Sequence, residues 1–150
     1  LNSTGSIIPL MLDAIDKNYK LTLYSEEMTR FMIHSDKAIE LIEAGLRTSG
    51  YNVIPNLKAF NVKDLFEIYA DKFGLKYDLG TPRISEKLHE MMVSKEERPR
   101  VTYNALEDIY YMHYKNIYDD RFDWDEFTSD LVVVTKEELS SILESYNYFK

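Results

Sequence analysis

The segment from Thr102 to Asp120 constrains the fold most, because apolar and aromatic residues recur in it at helical spacing. The residues that share one helical face are Leu106, Ile109, Tyr110, His113 and Ile117. A helix with such a stripe must bury it, so we expect this segment to be the central packing helix of the domain. His113 lies in the middle of the stripe, where a buried imidazole requires a hydrogen-bond partner in the protein or on a ligand.

Helix caps followed by apolar stripes recur along the rest of the chain. The caps are Ser6, Ser25, Asn61, Thr81 and Thr135, the last with Glu138 at capping-box spacing, and Gly74 closes the helix that Asn61 starts. The segment from Tyr51 to Asn61 lacks this periodicity and is predicted to be a loop. The one strand-like run, Leu131 to Val134, cannot make a sheet alone. The sequence therefore predicts an all-α single domain of six to eight helices over residues 1–150, globin-like in arrangement, with a frayed end at residues 1–5.

The charge balance excludes several classes of partner. The chain has 18 basic and 26 acidic residues, a formal net charge of −8. Nucleic-acid and anionic-membrane binding both need clustered Lys and Arg, so neither partner is expected. The chain has no cysteine and no apolar run of membrane-spanning length, which predicts a protein of the reducing cytoplasm.

The motifs of the common catalytic and cofactor sites are missing. The five glycines are isolated, so no phosphate-cradling loop is present, and no nucleophile motif accompanies the three histidines. The acidic run from Asp119 to Asp130 lacks the glycine that a calcium loop requires. His89 without a second ligand pattern argues against haem. We therefore expect no enzymatic activity, no metal and no cofactor.

A ligand pocket is predicted beside His113, although a histidine bonded within the core explains the same pattern. Pockets are mostly apolar with a few polar groups that fix a ligand, and methionines adapt to flexible apolar chains. The candidate ligand-binding residues are His113, Tyr110, Tyr69, Phe66, Met92 and Met32.

A second candidate surface lies in the acidic run, where aromatic residues alternate with carboxylates. The candidate partner-binding residues are Trp124, Asp123 and Asp125, because aromatic side chains are enriched at protein interfaces. This surface carries the alternative function, an acidic protein-interaction module such as an inhibitor from a plasmid, phage or toxin system, without a small-molecule ligand.

The order of predicted helices resembles that of the haem-less globin-like sensor domains of Bacillus sporulation histidine kinases and their free-standing inhibitory relatives. The segments that carry the resemblance are SIIPLMLDAIDKNY, FNVKDLFEIYADKFG, TPRISEKLHEMM, RVTYNALEDIYYMHYKNIY and TKEELSSILESYNYF. The resemblance implies an internal tunnel that binds a fatty acid, and a homodimer formed through helices. It predicts a non-enzymatic, ligand-sensing regulatory domain that modulates a signalling partner such as a sporulation sensor kinase.

Overall fold

A computed structural model describes residues 6–82, 84 and 86–149, so the predicted frayed end at residues 1–5 lies outside the described residues. The elements in this part of the chain are α1 (Ile7–Asp16), β1 (Leu21–Leu23), β2 (Thr29–Phe31), α2 (Ser35–Arg47), β3 (Tyr51–Pro55), β4 (Ala59–Asn61), α3 (Val62–Phe73), β5 (Tyr77–Leu79), β6 (Met91–Val93), β7 (Val101–Asn104), β8 (Ile109–His113), β9 (Phe127–Thr128) and α4 (Lys136–Ser145). These elements make a mixed α/β fold, so the predicted all-α, globin-like bundle is wrong.

Short strands pair into four small sheets within the described ranges. β1 pairs in parallel with β5, whereas β2–β4, β6–β9 and the three-stranded order β3–β8–β7 are antiparallel. The predicted loop from Tyr51 to Asn61 therefore contains β3 and β4. The strand-like run from Leu131 to Val134 begins inside a 3-10 helix at Ser129–Val132, and Val133 forms an isolated parallel bridge with Ala59. β-Branched and aromatic residues favour these strands when partners from elsewhere in the chain are available.

Three helices lie where their caps predict them. Ser6 is the N-cap residue of α1, and the Asn61 side chain accepts a hydrogen bond from the backbone of Lys63 at the start of α3. Gly74 ends α3 in the left-handed conformation, with φ of 69°. Thr135 opens α4 with a complete capping box. These predictions are confirmed because caps and apolar periodicity are local signals.

The central helix predicted from Thr102 to Asp120 is wrong, because these residues form β7, a turn and β8. Leu106 is 99% exposed and Ile117 is 48% exposed, so two members of the predicted stripe face solvent. The Asn104 side chain accepts a hydrogen bond from the Leu106 backbone N–H, and Asp108 adopts a positive φ of 53°. Asn and Asp favour such turns, and the aromatic residues on either side favour strands.

Two further predicted helices are replaced wholly or partly by extended chain. The helix predicted from Ser25 is wrong in its first half, where β2 lies, and α2 begins only at Ser35. The helix predicted from Thr81 is wrong as well, since its last residues form β6 and the described residues before them form no helix.

The buried residues form two apolar clusters. The first joins α1, β1, α3 and α4, and its fully buried members include Met11, Leu65 and Leu143. The second lies on the three-stranded sheet and contains Val101 and Phe127. None of the described helices combines the length and apolar character that crossing a bilayer would demand.

Candidate functional site

A pocket of about 780 Å³ opens between the first turn of α1, β1, β2, the start of α3 and the segment 86–90. Its apolar wall includes Leu23, Met28, Phe31, Phe60 and Phe66. Leu23, Phe60 and Phe66 belong to well-packed parts of the first cluster, with exposures of 4% or less. Much of the wall is therefore packed into the protein core, as expected of a preformed ligand site.

Arg30 is the central cation of the pocket, and its side chain is only 22% exposed. Its Nη1 donates to the main-chain oxygens of Thr29 at 2.8 Å and Leu88 at 3.1 Å. These two short bonds fix the plane of the guanidinium. Charged groups need such partners when they are withdrawn from water.

Two carboxylates lie beside Arg30 at longer distances. Glu86 Oε1 is 3.4 Å from Nη2, and Glu90 Oε1 is 3.9 Å from Nε. The other oxygen of Glu90 accepts a 2.8 Å hydrogen bond from the backbone N–H of Phe31. The Glu90 carboxylate thus ties the 86–90 segment to β2. Nη2 of Arg30 donates a long hydrogen bond to Glu86, and Nε keeps only an ionic contact with Glu90.

The rim of the pocket carries a second cation and an aromatic ring. Lys20 is 61% exposed and pairs with Asp78 at 3.0 Å. Tyr24 stands beside Gly80, where an added Cβ would lie 3.2 Å from the Tyr24 ring and 2.6 Å from Thr22 Cγ2. The backbone N–H of Gly80 donates to Leu23 O at 2.9 Å, so the close approach depends on glycine.

This arrangement suits a ligand that is partly aromatic or apolar and partly charged. Guanidinium and ammonium groups donate to anionic oxygens, and carboxylates accept hydrogen bonds from hydroxyl groups. Ring faces stack on flat ligand groups. In the described ranges, no cluster of three or more His, Asp or Glu side chains could hold a metal ion.

Of the predicted ligand-binding residues, Phe66 lines this pocket. Tyr69 is fully buried in the first cluster, donates a 2.7 Å hydrogen bond to Tyr148 O, and has a pKa that burial raises to about 12. Met32 is 9% exposed in the same cluster and donates its backbone N–H to Lys58 O. Their aromatic and apolar character serves packing around the pocket.

The other predicted ligand-binding residues lie on the second cluster or its sheet. Burial raises the pKa of Tyr110, whose ring packs against Trp124 at 5.8 Å. Met92 is partly buried against this cluster from β6. His113, on β8, is 2.8 Å from Thr102 Oγ1, so the imidazole has a partner within the protein.

The predicted partner-binding residues lie in an irregular loop after β8. Asp123 and Asp125 are exposed, but Trp124 is half-buried and stacks on Phe122 with ring centres 4.8 Å apart. Arg98 donates to the main-chain oxygens of Trp124 and Phe122 and thereby folds this loop. The aromatic side chains therefore contribute to the second cluster.

Arg30, Glu86 and Glu90 are site residues that were not predicted from the sequence. The available signal was a single arginine within the largely apolar run from Met28 to Ile33. An arginine within a largely apolar run of this kind has to find partners, and here they come from a segment almost 60 residues away.

Comparison with known proteins gives three kinds of match. A family model described as "Polysaccharide biosynthesis protein" matches residues 1–113, which include every residue of the pocket. An uncharacterized membrane protein of Methanocaldococcus jannaschii is 28% identical over 99% of this chain and 47% of its own length. A UDP-glucose 4-epimerase of Rickettsia rickettsii is 29% identical over 72% of this chain and 32% of its own length.

A solved structure, Pen from Bacillus thuringiensis, has the same fold. Its TM-score is 0.80 at 24% identity, over 96% of this chain and 45% of that chain. The chain thus spans about half or less of the length of the relatives that it matches.

These matches overturn the prediction of a fatty-acid-sensing regulator of a sporulation kinase, and they give no support to an acidic interaction module from a plasmid, phage or toxin system. Neither the fold nor the family is that of a globin-like sensor. Because the family model matches about three quarters of the sequence, the chain belongs to the polysaccharide biosynthesis protein family.

Proposed function

We propose that this chain binds a nucleotide-activated sugar, of the UDP-sugar class, in the pocket around Arg30. The observation that carries the proposal is a fixed guanidinium next to an aromatic wall, within the residues that match the family. One relative is, by name, an epimerase of UDP-glucose, which supports this ligand class.

Arg30 supplies donors for the phosphate groups. Its Nη1 is held by two carbonyl oxygens at 2.8 and 3.1 Å, whereas Nη2 and Nε reach carboxylates at only 3.4 and 3.9 Å. A phosphate oxygen at hydrogen-bond distance replaces these long contacts with shorter ones. The guanidinium can therefore bind phosphate in place of the carboxylates while Nη1 keeps its hydrogen bonds to the carbonyl oxygens of Thr29 and Leu88.

Two further features of the pocket lining favour the phosphates. The first turn of α1 lines the pocket and has no acidic side chain. The N–H groups at the start of a helix lack internal partners and attract anions. Lys20, paired with Asp78, adds an exposed ammonium at the rim.

The remaining walls fit the sugar and the base. Glu86 and Glu90, when displaced from Arg30 by phosphate, accept hydrogen bonds from sugar hydroxyls. The rings of Tyr24, Phe31 and Phe66 offer apolar faces to the base and the sugar. A volume of about 780 Å³ is in the usual range for small-molecule sites.

The proposal concerns binding. The absence of enzymatic activity stays a prediction. So do the protein partner, the homodimer, and the absence of nucleic-acid and membrane partners. We also propose a cytoplasmic location, as expected for a chain without cysteine.

Titration calorimetry with UDP-glucose tests the proposal. We expect saturable binding to the 150-residue chain, and we expect Arg30→Gln to weaken it about tenfold or more, because hydrogen bonds to charged groups contribute about 1.5–3 kcal/mol. Arg47→Gln is the matched control, since Arg47 is 67% exposed on α2 and outside the pocket. Absence of binding, or equal losses in both variants, contradicts the proposal.

A further inference from the structure

Two buried hydroxyl groups meet behind the pocket. Thr29 and Ser129 are the buried polar residues of the described chain, with exposures of 4% and 0%. Their oxygens lie 2.6 Å apart although the residues are 100 positions apart in sequence. Buried polar groups are retained only where hydrogen bonds compensate for lost hydration, so this contact has a structural consequence.

Ser129 is hydrogen-bonded to the 86–90 segment, which carries most of the acceptors of Arg30. The backbone N–H of Glu90 donates to Ser129 Oγ at 2.9 Å, and the backbone N–H of Ser129 donates to Glu90 O at 2.9 Å. The 86–90 segment supplies the Leu88 carbonyl and both carboxylates beside Arg30. Ser129 therefore fixes the side of the pocket that holds the guanidinium.

Ser129 also contacts the second main-chain oxygen that accepts from Arg30, which belongs to Thr29. Ser129 Oγ lies 3.2 Å from the main-chain oxygen of Thr29 and can donate to it, and Arg30 Nη1 donates to that oxygen at 2.8 Å. On the far side, Thr29 Oγ1 is 2.9 Å from His89 Nδ1. The hydroxyls thus join β2 to residues 89 and 90 through a continuous set of hydrogen bonds.

We propose that Ser129 is a positioning residue of the pocket, which orients Arg30 toward the ligand through Thr29 and the 86–90 segment. The ligand named in its test rests on the proposed function. Ser129 lies beyond residues 1–113, so the segment after the family match contributes to the site in this chain.

Substitution of Ser129 by Ala leaves the half-buried N–H of Glu90 without its acceptor. That segment must then shift to find another partner, and Arg30 loses its alignment. Thr29→Val removes the second hydroxyl at similar volume but leaves Ser129 Oγ as the acceptor of the Glu90 N–H, so we expect a smaller loss of ligand affinity. Thr29→Ser keeps the hydroxyl and retains ligand affinity.

A double-mutant cycle tests this with UDP-glucose as the titrant. Ser129→Ala is expected to weaken binding about fivefold when Arg30 is present and less than twofold in Arg30→Gln, because coupled residues are not additive. Val101→Ala, a buried change in β7 away from the pocket, controls for lost stability. Equal losses in both backgrounds, or no loss in either, overturn the proposal.

The NMR signal of the Arg30 Nε–H group gives a readout that needs no ligand. We expect Ser129→Ala to shift this signal and to speed its exchange with solvent, whereas Val101→Ala leaves it in place. If wild-type protein binds no UDP-glucose but the signal responds, the proposed function fails and the positioning role stands. If the wild type binds and Ser129→Ala changes neither signal nor affinity, the positioning role is wrong.

Discussion

The hydroxyl of Tyr69 donates a 2.7 Å hydrogen bond to the main-chain oxygen of Tyr148. Tyr69 is fully buried on α3, and Tyr148 follows α4. The bond therefore joins the end of the chain to the helix whose first half borders the pocket. Because burial raises the pKa of Tyr69 to about 12, the hydroxyl stays protonated and donates at neutral pH.

Tyr69→Phe is expected to lower the free energy of unfolding by about 1–2 kcal/mol, since it leaves a buried carbonyl without its donor. The unfolded pKa is about 10, so the stabilisation is fully present below pH 10 and declines as pH rises toward 12. Urea denaturation at pH 8 and pH 10.5 measures the difference, which shrinks at the higher pH. Tyr114→Phe, at a 75% exposed position, is the control and has little effect at either pH.

Asp119→Asn is expected to lower the free energy of unfolding by about 1 kcal/mol at neutral pH. The effect is small because Arg121, the partner of Asp119, is exposed to solvent. The hydrogen bond from Arg121 holds the pKa of Asp119 at about 2, below the ordinary value. The stabilisation is therefore fully present above about pH 4 and is lost as pH falls toward 2. Denaturation curves at pH 7 and pH 2.5 check this, with the exposed Asp120→Asn as control. An unchanged difference between the two pH values contradicts it.

Helices α1, α3 and α4 could be predicted from the sequence because their signals are local. A cap residue, an apolar stripe and, for α3, a closing glycine all lie within 15 residues of one another. The strands could not be predicted in this way. The β3–β8 pairing joins Tyr51 to His113, and no property of residues 102–120 alone reveals that partner.

The aromatic residues of β8 illustrate the ambiguity. Ile109, Tyr110 and His113 fit one face of a helix. In the structure, the burial of side chains along β8 instead depends on β3 and β7, which pair with it on either side. Leu106, which the helical pattern needs, lies in the turn. A short aromatic run fits both the helical period and the strand period. Turn residues such as Asn104 therefore indicate the secondary structure of this segment better than the aromatic residues do.

The candidate site was largely beyond sequence reasoning, for the same reason. Arg30 and Glu90 are 60 positions apart, and Thr29 and Ser129 are 100 apart. Phe66 was predicted from the stripe of α3, which does border the pocket. Its predicted companion His113 instead bonds to Thr102 on the neighbouring strand.

Gly80→Ala is expected to weaken UDP-glucose binding severalfold, because the new Cβ would lie 2.6 Å from Thr22 Cγ2 and push the pocket rim apart. Gly45→Ala is the matched control. A Cβ at Gly45 meets nothing within 4 Å, and alanine in a helix stabilises by about 0.5–1 kcal/mol. Calorimetry and thermal melts of both variants distinguish the effects. Unchanged affinity in Gly80→Ala contradicts the close contact.

Arg98→Lys is expected to lower the free energy of unfolding by about 2 kcal/mol and to loosen the loop that carries Trp124. Lysine has a single ammonium group and cannot reproduce the several coplanar donors of a guanidinium. Arg98 bonds the main-chain oxygens of Trp124, Asp119 and Phe122 at 3.1, 2.9 and 3.4 Å. Trp124 is the single tryptophan, so its fluorescence reports on this loop directly, and its emission shifts to longer wavelength in the variant. Arg100→Lys, whose nearest carboxylate is 3.8 Å away, is the control. An identical spectrum in Arg98→Lys means that aromatic packing alone holds the loop.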